Sequence, residues 1–323
     1  MGWRGGWLAD FEIRGGTVRV RKTGATARID GGIVREVAIW LVYYLCITAR
    51  AAWLRHKRAT ITLGFTPDLP RPWYLIRAAC TWARIAVTTD LTKADCAFFF
   101  EDATWCAPQP QPGDLPCLNF ACTDISKGHV AAVFETIFGY PLALDPATST
   151  GLAVEKSEVN ARHDGRLVQC PCAPREGFVY QKLVDTTDGS HVHDLRTPCV
   201  AGAPVVVWEK LRRERDRFSA HNAKVVARDP AMVFSEGERC AIRRFCAAIG
   251  LDWGGLDILR DRHDGRIYIV DVNKTDAGPV IDLPLREKLR STALLAGALR
   301  ALLIERRPGA CRQAARDAVP SSA

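Results

Sequence analysis

Apolar and polar positions alternate along the chain in stretches that read in turn as helix and strand. The apolar run "VAIWLVYYLCITARAAWL" (37–54) lies in a helix predicted over about 34–56. Its thirteen uncharged residues before Arg50 are too few to span a bilayer, so a buried core helix is the expectation. "TITLGF" (60–65) reads as a short strand, "WYLIRAACTWARI" as part of a helix over about 72–87, and "CAFFF" (96–100) as a buried strand. Strands alternating with helices predict a small parallel α/β sheet in this part of the chain. "TDISKGHVAAVFETIFGYP" then predicts a helix capped near Asp124 and ended at Gly139. Two hairpins turn on Arg-His-Asp-Gly-Arg, at 162–166 and 262–266, and Asp-Gly is a strong short-turn signal. Between them lie strands at 177–185 and 195–211 and a helix near 235–249, opened by Ser235 and Glu238 as a capping box. A last helix is predicted over about 285–306.

The second hairpin changes this picture from fold to chemistry. In "GRIYIVDVN" (265–273), period two puts Ile267, Ile269, Asp271 and Asn273 on one face. With the turn centred near His263–Asp264, paired positions sum to about 526–529, which sets Asp257 beside residues 269 to 272. Three oxygen-bearing side chains then meet on two neighbouring strands. Two carboxylates pressed together repel unless one is protonated or a cation bridges them. Magnesium takes one or two carboxylates together with phosphate oxygens, so a nucleotide–metal site fits. A sheet end where these groups face water fits the spacing equally well.

Composition narrows the function classes. The 323 residues carry 44 basic and 36 acidic groups, a net charge of +8, and only ten of the basic residues are lysine. Residues 1–35 hold seven basic and three acidic groups, but no aromatic interleaving or lysine block suggests a nucleic-acid reader. Twelve cysteines include no C-x-x-C pair, which predicts reduced thiols of a cytoplasmic protein and no zinc site. No G-x-x-x-x-G-K-[ST] phosphate loop occurs. Residues 1–32 are expected to be a basic leader, mobile or an edge hairpin.

"GLDWGGLDILRDRHDGRIYIVDVNKTDAGP" resembles the metal-binding end of an ATP-grasp enzyme. That family places an acid on one strand and an acid-x-Asn pair on the next, followed by a Pro/Gly turn. The resemblance spans roughly 115–285 and is to carboxylate–amine ligases such as glutathione synthetase, the ribosomal-protein glutamate ligase and D-alanine–D-alanine ligase. It implies an α/β (α+β) fold: two α+β lobes clamping ATP behind a small parallel α/β domain. The implied divisions are 33–122 for that domain, 123–184 for the small lobe and 185–306 for the large lobe, with a disordered tail at 307–323.

By the same resemblance, Asp257, Asp271 and Asn273 would hold magnesium, with manganese able to substitute. Lys127 and Lys156 would bind phosphates, the backbone around Gln181, Lys182 and Leu183 would meet adenine, and Asp185 would meet ribose. Arg196, Arg217 and Asn222 would face the γ-phosphate and acyl phosphate, with Lys210 and Arg212 as further basic candidates. Asp271 stands where the family usually has glutamate. Gly255 stands where D-alanine–D-alanine ligases have an arginine, and Arg196 is its candidate replacement.

The implied function is an ATP-dependent carbon–nitrogen ligase joining a small-molecule carboxylate to an amine through an acyl phosphate. A non-ligating ATP-binding module and a phosphotransferase acting on a hydroxyl are the alternatives. The implied protein is cytoplasmic, without nucleic-acid partners or stable membrane insertion, and compatible with a homodimer.

Overall fold

A computed structural model describes residues 7–21, 26–54, 61–160, 162, 164–218 and 222–307. The chain forms two compact units, one of Met1–Asp102, Pro110–Leu118 and Thr275–Ala323, the other of Ala103–Gln109 and Asn119–Lys274.

The first unit holds a parallel sheet in the order β5-β4-β6-β7, built from β4 (Thr62–Pro67), β5 (Ala86–Thr88), β6 (Cys96–Phe100) and β7 (Cys117–Leu118). Every residue of β6 is buried, as a central parallel strand covered on both faces requires. Helices α1 (Gly31–Trp53), α2 (Leu75–Ala83) and α6 (Leu285–Glu305) pack on one another. The Tyr43 hydroxyl of α1 meets Thr292 Oγ1 of α6 at 2.7 Å. Helix α6, placed with the large lobe by the sequence reading, thus belongs to the unit of the parallel sheet.

In this unit the leader takes the hairpin alternative with a third strand added, and the expectation for α1 changes. Within the leader, β1 (Phe11–Arg14), β2 (Thr17–Val20) and β3 (Thr26–Arg28) form an antiparallel sheet. Arg71 pins its start, donating to Asp10 at 2.8 Å, and the Phe11 and Trp73 rings lie 5.3 Å apart. Residues 1–6 and 22–25 of the leader, and 308–323 of the expected tail, lie outside the described residues. Helix α1, expected in the core, buries only Tyr43 and Ile47. Its apolar character runs all round the helix, and hydropathy cannot tell which side has a neighbour.

The second unit opens with α3 (Lys127–Phe138), whose N-cap is Ser126 and whose C-cap is Gly139 at φ 76°. A small antiparallel sheet runs β10-β8-β9, from β8 (Gly151–Ser157), β9 (Arg166–Cys170) and β10 (Phe178–Lys182). A large antiparallel sheet runs β14-β13-β11-β15-β16. Its strands are β11 (His191–Val200), β13 (Val207–Arg213), β14 (Lys224–Arg228), β15 (Trp253–Arg260) and β16 (Ile267–Asn273), with β12 (Ala203–Pro204) beside β11. Chain order is completed by α4 (Pro230–Val233) and α5 (Glu236–Ala248), the latter opened by the expected Ser235/Glu238 capping box. Ile242, Phe245 and Cys246 of α5 share a buried core with Leu256, Ile258 and Ile269.

Asp257 pairs directly with Asp271, inside the expected span. A bulge then shifts the register, so that Ile258 pairs with Ile269 and Leu259 with Tyr268. Cross-strand partners share a face. Asp271 and Asn273 therefore lie on the face of Asp257, Leu259 and Tyr268, while Ile267 and Ile269 lie on the opposite face with Ile258. The single face expected for all four residues is corrected: one extra residue in the strand re-aims everything beyond it.

Candidate active site

Strand pairing assembles a charged patch on the front face of the large sheet. Period two places Asp194 and Arg196 on one side of β11, and Asp194 pairs across with Lys210 of β13. Arg196 pairs with Asp257 on β15, which pairs with Asp271 on β16. Arg196 Nη1 donates to Asp257 Oδ2 at 2.7 Å, and Lys210 Nζ donates to Oδ1 at 3.1 Å. With its amide turned to suit these neighbours, Asn273 accepts from Arg196 at 2.6 and 3.2 Å. Arg212 donates to Asp194 on the same face.

The two central carboxylates are treated differently by this field. Burial pushes the Asp257 carboxyl up, but Arg196, Lys210 and Arg212 outweigh burial and hold it well below the usual carboxylate range. Asp271 goes the other way. Its Oδ1 is buried and makes no hydrogen bond. Burial raises its carboxyl, Asp257 adds to the rise, and Lys127, Lys156 and Arg196 offset this only in part. An unpartnered buried carboxylate is costly, so this oxygen marks a place where a cation would lower the energy.

The lysines come from the elements facing this patch. Lys156 on β8 donates to Gln181 Oε1 at 3.1 Å, and burial depresses its ammonium below the ordinary lysine value. Lys127 is buried at the start of α3 and donates to Val159 O at 3.2 Å. A cavity of about 150 Å³ is lined by Lys156, Gln181, Lys182, Leu183, Asp194, Arg217 and Asp257, with Val154, Phe218, Leu259 and Val270 as apolar wall. Arg217 Nη1 reaches Val184 O at 3.3 Å.

Ten of the twelve sequence candidates are thus gathered in or beside one cavity: six line it, and Arg196, Asp271, Asn273 and Lys127 adjoin it through Asp257 and Asp271. Two are not. Asp185 accepts from Thr187 N at 3.0 Å and from His263 Nε2 at 3.2 Å, and Thr186 takes the place on the cavity wall. The Asp185 carboxylate thus stands in its own turn, between the lining residues Val184 and Thr186. Asn222 lies ahead of β14 and does not line the cavity. Lys182 is on the wall, but its amide donates to Leu142 O at 2.8 Å and its ammonium meets Asp261 and Tyr268, each at 2.9 Å. Of the Gln181–Leu183 segment it therefore offers an adenine edge no amide donor. Asp194 escaped the sequence reading, although its place two residues before Arg196 was a usable signal.

The donor set suits magnesium rather than zinc, being two carboxylates and an amide oxygen without sulfur or imidazole. The orphaned Asp271 oxygen fits the same reading. No family model matches the chain, and no curated protein matches it significantly. Its structure is similar to that of the ATP-grasp ligase PsnB in complex with a minimal precursor, at a TM-score of 0.50 and 12% identity. That alignment covers 76% of this chain and 99% of the other. D-alanine–D-alanine ligase from Bacillus anthracis in complex with ATP aligns over 79% of this chain and 98% of its own, at 12% identity and a TM-score of 0.45, too low to add weight. By architecture, the chain has the ATP-grasp fold.

Proposed function

We propose that this protein is an ATP- and magnesium-dependent ligase that joins a small-molecule carboxylate to an amine. The observation that carries the reading is the Asp257–Asp271 pair, with its orphaned oxygen, set among Lys127, Lys156 and Arg196 beside a cavity in this fold.

A carboxylate is a poor acyl donor because its leaving group would be oxide. Transfer of the ATP γ-phosphoryl group to a carboxylate oxygen gives an acyl phosphate and ADP. An amine then attacks the carbonyl carbon, the C–O bond to phosphate breaks, and the amide forms as a proton leaves nitrogen. Asp257, Asp271 and Asn273 would hold magnesium, which when bound neutralises charge on the phosphate oxygens. Lys156 and Lys127 would hold phosphates, and the apolar wall of Val154, Leu259 and Val270 would pack the base beside the Gln181 and Leu183 backbone. Arg196, Lys210 and Arg217 would stabilise charge on the moving phosphoryl group, since positioning and electrostatics dominate such transfers.

Purified protein with ATP and magnesium should release ADP and phosphate when pooled carboxylates and amines are added, and Lys156→Ala should abolish that release while leaving the fold intact. Tight ATP binding without turnover on any substrate mixture would sink the ligase reading. Phosphate transfer to added alcohols would replace it with a phosphotransferase.

A further inference from the structure

Helix α1 is apolar on two sides. Tyr43 and Ile47 pack inward against Ala78, Trp82 and Leu289. A 3.6-residue period sets Val34, Leu41, Leu45 and Ala52 on the opposite side. There Val34 is 58%, Leu41 44% and Leu45 55% exposed, and Trp53 at the helix end is 78% exposed. Of the large exposed apolar side chains among the described residues, eight fall between Ile13 and Trp53 and seven in all the rest of the chain. Such a concentration marks an interaction surface.

Charge identifies what covers it. The strands leading into the helix carry Arg14, Arg19 and Arg28, Arg21 follows β2, all four are exposed, and Arg35 lies in the first turns of α1. Their acidic counterweight is smaller: Glu12 lies opposite Arg19 on the neighbouring strand, Glu36 follows Arg35, and Asp30 is occupied as the N-cap of α1, accepting from Ile33 N at 2.9 Å, so five arginines stand against three carboxylates. Two copies meeting at this region would bring like charges together, whereas an anionic bilayer neutralises them. Basic residues in the segment that leads into an exposed apolar helix face, with a tryptophan at its end, match the pattern of a helix lying in the membrane interface.

We propose that residues 11–21 and 26–53 dock this protein on the surface of anionic membranes, with α1 lying in the plane of the interface. Because Tyr43 and Ile47 are held inside the protein, the helix presents one side to lipid and does not cross. The surface is independent of the cavity in the other unit and of any reaction assigned to it.

The test is sedimentation of the full chain with phosphatidylcholine vesicles, with and without phosphatidylglycerol. The expected result is binding to the mixed vesicles only, weakened by salt. Leu41→Asp with Leu45→Asp should lower it by about tenfold or more, and Arg14→Ala with Arg19→Ala and Arg21→Ala should remove the preference for anionic lipid. The Leu41 and Leu45 side chains are exposed, so thermal melting should be unchanged. Should that variant misfold, Trp53→Ser serves in its place, together with quenching of wild-type tryptophan fluorescence by brominated lipid. Failure to bind mixed vesicles would overturn the proposal, as would binding that these variants leave unchanged. A dimer in light scattering that Leu41→Asp disrupts, without vesicle binding, would reassign the surface to a second copy.

Discussion

The two faces of the large sheet in the second unit are both charged, and they are charged to different ends. On the back face His193 Nδ1 meets Glu209 at 2.9 Å and His193 Nε2 meets Asp188 at 3.0 Å. Arg228 donates to the same Glu209 at 2.9 Å, and Arg260 donates to Glu238 at 2.8 Å and to Val233 O. Each of these groups has its partner. The front face holds Asp257 under two cations, yet leaves an oxygen of Asp271 buried with none. The back face even has the roomier cavity, about 590 Å³ against about 150 Å³. Volume therefore points one way and chemistry the other. Matched charges hold a structure together, and an unmatched one is where a ligand lowers the energy, so the smaller cavity is the better candidate.

The sharpest way to break this contrast is Asp271→Asn. On the front face it should lower ATP-dependent turnover by about 10²–10³-fold, the usual cost of losing one electrostatic group at a reacting phosphate or oxyanion. Its melting temperature should stay level or rise, because an unpaired buried charge has been removed. Turnover equal to wild type, measured by ADP release, would end the distinction between the faces. On the back face, Glu238→Ala should do the reverse. It removes two charge-assisted bonds to Arg260 and half of the α5 capping box, and should cost about 1.5–3 kcal/mol in urea unfolding. Turnover per folded molecule should be unchanged.

The smallest effect concerns pH. Burial pulls the His193 imidazole down, but Asp188 and Glu209 outweigh it and raise it above the ordinary histidine value. A raised folded-state value means that the stabilisation is fully present below about pH 6.5 and is lost as pH rises through the higher folded value. Wild type should accordingly lose a little stability as pH rises above about 6.5, and His193→Gln should flatten that slope. Identical slopes in the two proteins would show that His193 is not held as the cation.

Much of the site was legible because it depends on local rules. The Asp-Gly turn fixed the sum of paired positions, and from it came Asp257 against Asp271. Arg196 and Lys156 came from the family resemblance rather than from local rules, with the apolar neighbours of Lys156 on its strand as the one local signal. Asp185 was the least legible of the candidates, because a carboxylate after a strand serves a turn as readily as a ligand, and Thr187 N and His263 both reach it. Asp194 was overlooked because its partners, Lys210 and Arg212, come from a strand paired at long range.

What the sequence determined by itself was the alternation of elements, the helix caps at Ser235 and Gly139, and the residue types that meet on the β15–β16 hairpin. These follow from backbone hydrogen bonding and side-chain periodicity within a few residues. Only the tertiary structure decided which face of β16 carries Asp271, since that hinges on a one-residue bulge against β15. It alone decided that α1 keeps one apolar side outside, because burial is a property of neighbours and not of the helix. Whether a charge is matched or left waiting is likewise settled only when distant strands are brought together.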